Sequence, residues 1–286
     1  MTYASRYHHQ DAKAPEVHTS YHYLTFSAAL AIAVAVVLSV SPPTALAWGK
    51  RGHRVVATLA TTMLTPAVQS RVADLLEPGV TLSDVATWAD EVRSGRSHTA
   101  PWHTVNIPQD ATGYKATRDC RDGCVPSAID QALRLVRDSS KDRAVRGEAL
   151  RWAVHFVADL HQPLHTIADP SSATYLRVQF FGRRTNLHRV WDEDLIDHVY
   201  PEQTDLQERV QAVIQAATWQ EWAQGRPQEW AEETHRTAKE IVALFPVDRE
   251  IDGRYIEKAI PIIRTQLAKA SVRLAWALNQ ALGNCA

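Results

Sequence analysis

The chain has 286 residues, 45% hydrophobic and 22% charged, a balance that supports a packed core and excludes disordered, collagen-like and coiled-coil compositions. Its 31 Lys and Arg against 32 Asp and Glu leave a net charge of -1, so it has no basic field of the kind that holds polyanions by counterion release. Thirteen histidines and nine tryptophans stand beside two methionines, which makes imidazole the unusual resource here.

Residues 26–40 (FSAALAIAVAVVLSV) form an uninterrupted apolar to weakly polar run, followed by Ser-Pro-Pro-Thr and Ala45-Leu46-Ala47. The pattern predicts a secretory signal over residues 1–47, cut after Ala47. The run falls short of the roughly 20 apolar residues a spanning helix needs, although an uncleaved anchor is the competing reading. The stretch before it is long, and Arg6 and Lys13 are offset by Asp11 and Glu16, as a wrongly chosen start codon would produce. Cleavage makes Trp48 the N-terminus, removes four histidines and keeps every tryptophan. The product is then secreted or periplasmic, without stable membrane association, and expected to be a monomer. In such a compartment disulfides persist, and Cys120 and Cys124 enclose a three-residue loop that one can close; a zinc thiolate pair is the alternative. Cys285 is left over.

From residue 48 to 286 no repeat or long linker interrupts the chain, and the length suits one domain. Thr65-Pro66 reads as an N-cap with proline in the first turn of a helix through Leu76. Leu82, Val85, Trp88, Ala89 and Val92 recur at three and four, predicting another helix. A third covers Ala128–Val136 and a long fourth runs from Arg143 to about Leu160, ended by Pro163. Tyr175–Phe181 has strand character before Gly182, so a small hairpin is expected near 175–184. Helical pattern resumes at Asn186, and the last helix carries Ile256, Ile260, Ile263, Leu267, Leu274 and Leu278 on one face before Gly283. Trp219, Trp222 and Trp230 read as core or helix-contact residues. The fold class is all-α, a single helical globule with sites built between helices.

Two pairs share one spacing, His155-x-x-x-Asp159 and His188-x-x-x-Asp192, which places each pair on one helix face. Imidazole and carboxylate so arranged suit a divalent cation such as zinc, whereas a lone pair of this kind is more often a surface hydrogen bond. Asp90, His103 and His165 lie in or beside apolar helical sequence as well. Burying so many ionisable groups is costly, and a metal cluster removes the cost for carboxylates and neutral imidazoles together. A metal-free network of His–Asp hydrogen bonds is the plainer alternative.

The pieces Trp48-Gly-x-x-Gly-His53, Trp88-Ala-Asp90, Trp102-His103, His155-Phe-Val-Ala-Asp159-Leu-His-Gln-Pro-Leu-His165 and Asn186-Leu-His188-x-Val-Trp-Asp192 resemble the zinc-dependent S1/P1 nucleases in order and in much of their spacing. The resemblance implies three zinc ions: one on Asp90, His103, His155 and Asp159, one on His165, His188 and Asp192, and one on His53, a bridging Asp159, and the α-amine and carbonyl of Trp48. It further implies cleavage of single-stranded DNA or RNA to 5′-phosphate nucleotides, with 3′-nucleotidase activity, Asp90 orienting the nucleophile and Arg93 stabilising the pentacovalent charge. Pro163 and the family pattern together argue against His161 as a ligand. His98, His198 and His235 read as solvent-facing or structural, and Asp84, Asp194 and Asp197 as solvated charges.

Two departures stand out. Asp169-Pro-Ser-Ser-Ala-Thr-Tyr175 replaces the Gly-Gly-Asn usual after the His-Gln-Pro-Leu-His segment, and Asn106 stands where some members carry aspartate. A phospholipase C type phosphodiesterase acting on lipid head groups is the rival enzyme, disfavoured because its second site typically ends in glutamate where this chain has Asp192. A non-catalytic, zinc-stabilised exported protein is the second rival.

Overall fold

Apolar residues at three- and four-residue spacing set most of the chain into helices, and the computed structural model describes residues 48–168 and 176–283. The leader over residues 1–47, the departing segment Asp169–Tyr175 and Cys285 lie outside the described residues. Helix α1 (Gly49–Thr62) buries Val55, Val56, Leu59 and Ala60. Helix α2 (Pro66–Leu75) begins as its sequence predicts, because the Thr65 hydroxyl accepts from the Val68 amide at 3.3 Å.

The helix expected across Leu82–Val92 shrinks to α3 (Trp88–Val92). The Asp84 carboxylate accepts from both the amide and the hydroxyl of Thr81, a local turn that competes with helix. Leu82 and Val85 are buried all the same, so their spacing signalled burial and not helix. After two 3₁₀ turns, Arg93–Gly95 and Ser97–His103, and the single turn α4 (Ala116–Asp119), a Cys120–Cys124 disulfide closes the expected loop. Helix α5 (Val125–Arg137) starts three residues before the predicted Ala128, since Ser127 bonds the backbone of Cys124 in both directions and Pro126 fits the first turn.

Helix α6 (Arg143–Leu160) has its predicted bounds. The hairpin is present as β3 (Arg177–Phe180) and β4 (Arg183–Asn186). Two pairings were not expected: β1 (Ile107–Pro108) runs parallel to β2 (Ile167–Ala168), and β5 (Glu250–Ile251) parallel to β3. The chain continues through α7 (Leu187–Arg189), a π turn over Val190–Asp194, α8 (Leu195–Val199), α9 (Gln203–Ala216), α10 (Pro227–Leu244) and α11 (Gly253–Gly283). None of the described helices is long and apolar enough to cross a membrane.

Helix α6 is the axis of the core, with α5 packed along it and α11 spanning α1, α9, α6 and α5. Trp230 is buried in that core and Trp222 half-buried, whereas Trp219 is exposed. Burying α6 on nearly all sides forces any polar residue on it to find partners inside the protein, and its two polar residues in the last turns are His155 and Asp159.

Candidate metal centre

Four elements deliver side chains to one buried volume. Helix α6 presents His155 and Asp159 one turn apart, both fully buried, with His155 Nε2 3.2 Å from Asp159 Oδ2. The 3₁₀ turn ending at His103 brings that ring's Nδ1 to 2.8 Å from the same oxygen and 3.2 Å from His155 Nε2. Asp90, on α3, stands 3.6 Å from His155 and 3.8 Å from His103. Helix α1 supplies His53, whose Nε2 lies 3.4 Å from Asp159 Oδ1 and whose ring stacks on His155 at 4.1 Å. The two oxygens of Asp159 thus face two different groups of nitrogens.

A second cluster forms where the turn Pro163–His165 meets α7. His165 Nε2 and His188 Nε2 face each other at 3.1 Å, and Asp192 Oδ2 lies 3.1 Å from His188. His188 is the middle residue of α7 and Asp192 sits in the π turn that follows, so the four-residue spacing is met across a change of helix type, a feature frequent at functional sites. Three sets, His53–His155–Asp159, Asp90–His103–His155 and His165–His188–Asp192, each place candidate ligand atoms within 4.8 Å of one another.

These contacts fit cations better than hydrogen bonds. The Nδ1–H of His155 donates to the Ala86 carbonyl and that of His165 to the His103 carbonyl, so in the neutral rings each Nε2 is a bare lone pair. The facing ring nitrogens stand 3.1–3.2 Å apart, close to the roughly 3.3–3.5 Å between ligands of a tetrahedral zinc. Seven atoms here, on His53, Asp90, His103, Asp159, His188 and Asp192, are buried without any hydrogen-bond partner. Buried polar atoms are rarely left so, and the carboxylate oxygens among them belong to a donor set that suits a divalent cation.

The protons of the bare cluster respond to the same crowding. Burial would depress His155, but the carboxylates of Asp159 and Asp90 outweigh it and raise its pKa to about 9. Burial would raise Asp159, yet His155 and the surrounding imidazole contacts hold it well below the usual carboxylate range. His165 is pushed down to about 3, chiefly by burial, with His188 and His103 adding to the effect. Burial raises Asp192 above the ordinary carboxylate value.

Trp48 is fully buried at the start of α1 in a left-handed conformation, its indole donating to the Ala158 carbonyl at 2.9 Å. The flanking glycines now have a physical reason. A Cβ on Gly52 would lie 2.8 Å from the Cβ of Trp48, and Gly49, at φ +52°, passes 3.1 Å from the Asp192 carbonyl where a Cβ would stand. The motif Trp48-Gly-x-x-Gly-His53 therefore lets Trp48 pack on Gly52 and brings Gly49 up to the Asp192 backbone. Arg93 follows α3 one turn after Asp90; among the described residues its guanidinium makes no ion pair, and its charge acts on His188.

His161 is not drawn into the cluster. Its Nδ1–H donates to the Val157 carbonyl, its Nε2 accepts from Arg273, and burial together with that guanidinium lowers its pKa to about 3. Asp194 corrects the sequence reading: it is nearly buried and paired with Arg183 at 2.7 Å, while Asp197 pairs with Arg51. His235 is buried and donates to the Thr166 carbonyl, whereas His98 and His198 are exposed.

One residue the sequence reading passed over is Gln162, fully buried between His161 and Pro163. Its Oε1 accepts from the Leu164 amide at 2.6 Å, which fixes the amide orientation, and its Nε2 donates to Asp192 Oδ1 at 2.5 Å, leaving Oδ2 turned toward His188. The signal was its place inside His-Gln-Pro-Leu-His, with no spacing rule to single it out. Gln162→Leu is expected to weaken metal retention by the His165–His188–Asp192 group about 10–100-fold, read by titrating a chelator against metal content.

The model of the S1/P1 Nuclease family matches residues 48–283. Endonuclease 2 of Arabidopsis thaliana is 30% identical over 87% of this chain and 96% of its own length. Nuclease S1 of Aspergillus oryzae is 26% identical over 80% of this chain and 89% of its own. Nuclease P1 of Penicillium citrinum reaches 35% over 51% of this chain and 57% of its own. Neither the phospholipase nor the non-catalytic reading gains support from these matches. This chain belongs to the S1/P1 nuclease family, a family of nucleic-acid phosphodiester hydrolases that in general depend on zinc.

Proposed function

We propose that the chain is exported, trimmed after Ala47, and acts as a zinc-dependent nuclease on single-stranded DNA and RNA, releasing 5′-phosphate nucleotides and removing 3′-phosphates. The observation that carries this reading is the set of buried, unpartnered nitrogens and carboxylate oxygens gathered at three adjoining points. Three ions would be held by Asp90, His103, His155 and Asp159; by His165, His188 and Asp192; and by His53, Asp159 and the α-amine and carbonyl of Trp48. When bound, such ions supply a water acidified to near neutrality and stabilisation of charge on the phosphoryl group.

The reaction adds water to phosphorus and breaks the P–O3′ bond, leaving a 5′-phosphate and a 3′-hydroxyl. Asp90, with a buried oxygen free of hydrogen bonds, orients the attacking water. Arg93, one turn away, offers a planar fork of donors to the equatorial oxygens as their charge grows. Near-neutral overall charge fits an enzyme that grips its polyanion through a local cationic centre instead of an extended basic face.

Purified mature protein is expected to hydrolyse single-stranded DNA, RNA and a 3′-nucleotide, to leave phosphatidylcholine intact, and to lose all activity with a chelator. Hydrolysis of phosphatidylcholine alone would reverse the assignment. Arg93→Ala should lower kcat about 10²–10³-fold with metal content unchanged by elemental analysis, and retained turnover would remove Arg93 from the scheme.

A further inference from the structure

His161 stands inside the segment His155–His165 yet belongs to none of the metal groups, and its surroundings give it another task. Helix α6 ends at Leu160. In a continued helix the Val157 carbonyl would accept from the amide of residue 161. Here it accepts from Nδ1–H of the His161 ring at 2.7 Å, and the freed amide turns to the Ala158 carbonyl at 3.1 Å. The Gln162 amide then donates to the Asp159 carbonyl at 3.0 Å and the His165 amide to the Gln162 carbonyl at 2.9 Å, which winds the 3₁₀ turn Pro163–His165. The ring of His161 is thus the cap that stops α6 between Asp159 and His165.

What that stop fixes is a distance. Asp159 and His165 are six residues apart. Had α6 run on, residue 165 would lie about 9 Å further along the axis and about 240° round it, on another face from Asp159. The cap folds the chain back instead, so that His165 Nε2 meets His188 at 3.1 Å and Gln162 reaches Asp192. The placement of one ligand group relative to the other therefore depends on where the helix ends.

The ring is held from behind by α11. Arg273, only 5% exposed, donates from one terminal nitrogen to His161 Nε2 at 3.0 Å and from the other to Glu233 at 2.5 Å. Its Nε reaches the Trp222 carbonyl at 3.4 Å, and the guanidinium lies over Trp230 at 5.5 Å. A guanidinium only donates, so His161 Nε2 can only accept and the proton stands on Nδ1, the one tautomer that caps Val157. Lys269 takes the other oxygen of Glu233 at 2.5 Å, one step removed from His161. A buried ion network of this kind is no cheaper than apolar packing, so its presence calls for a reason beyond stability.

We propose that Arg273 is a positioning residue for the metal centre: by holding His161 in its capping tautomer it sets where α6 stops, and so where Gln162 and His165 stand relative to Asp159. The assignment rests on the zinc reading above and extends it to a side chain 112 residues from the histidine it orders.

Arg273→Met keeps length and apolar packing and removes the donors, and native mass spectrometry during a chelator titration counts the ions independently of activity. This variant is expected to release one zinc at about tenfold lower chelator concentration than wild type, the others leaving as in wild type, with kcat on single-stranded DNA down about 10–100-fold. Lys269→Met removes the other cation of the same network and is expected to lower thermal stability while its zinc release follows that of wild type. His161→Phe, which keeps a ring and loses both bonds, should behave as Arg273→Met; His161→Asn, which restores a donor for the Val157 carbonyl, should recover most of the retention. The two His161 variants decide the matter if Arg273→Met does not fold. Release of all ions together from Arg273→Met, equal release from Arg273→Met and Lys269→Met, or no difference between the His161 variants would overturn the assignment. A wild-type protein that takes up no zinc would sink the zinc reading and this assignment with it, whereas one that holds zinc but fails to cut single-stranded DNA would sink the nuclease reading alone.

Discussion

Asp159→Asn is expected to lower kcat/KM on single-stranded DNA by more than about 10³-fold, about 4 kcal/mol of barrier, and to strip metal from more than one position. The reason is geometric. One oxygen of Asp159 faces His103 and His155 while the other faces His53, so a single substitution removes an anionic donor from two adjoining groups. The asparagine is nearly isosteric and would keep the packing of α6, which makes elemental analysis a clean readout: a fall of only one equivalent of zinc would argue that the two oxygens do not serve separate ions. Thermal stability should drop with metal content, because ions bound only by the folded state stabilise it by mass action.

A single residue placed before Trp48 should cost one zinc per chain and at least about 10²-fold in activity. Trp48 is fully enclosed and pinned through its indole to Ala158, with Gly49 and Gly52 leaving no slack around it. A free α-amine ordinarily titrates at about 7.7–8.0, so it surrenders its proton to zinc more readily than lysine does, whereas an amide nitrogen is no donor at all. Native mass spectrometry of the trimmed and extended forms would count the ions, and equal counts would remove the chain terminus from the ligand set.

The site was far more legible in the sequence than the fold's finer joints were. Imidazoles and carboxylates four apart on an apolar helix, as at His155 and Asp159, carry their own signal because burying them is costly. Trp48 and its glycines needed the family pattern, since nothing in their spacing alone says that Gly52 makes way for an indole. Period-three burial at Leu82–Val92 misled, because a side-chain bond from Thr81 to Asp84 diverted the backbone while the apolar residues stayed inside. The parallel pairs of β1 with β2 and β5 with β3 join segments about 60 and 70 residues apart, which no local pattern encodes. Gln162 escaped notice for a related reason: its value lies in Asp192, thirty residues on.

The small ring closed by Cys120 and Cys124 ties this architecture to its surroundings. Gly123 within it leaves the space in which Trp102 sits, and Trp102 is the immediate neighbour of His103. Opening so short a ring releases about 2 kcal/mol of restraint on the unfolded chain. A phosphine reductant, which brings no thiolate to compete for zinc, is expected to loosen the indole and, through the adjoining backbone, the imidazole beside it. Activity is therefore expected to fall when this ring is reduced, measured before and after reduction at constant metal content, although no sulfur takes part in the chemistry.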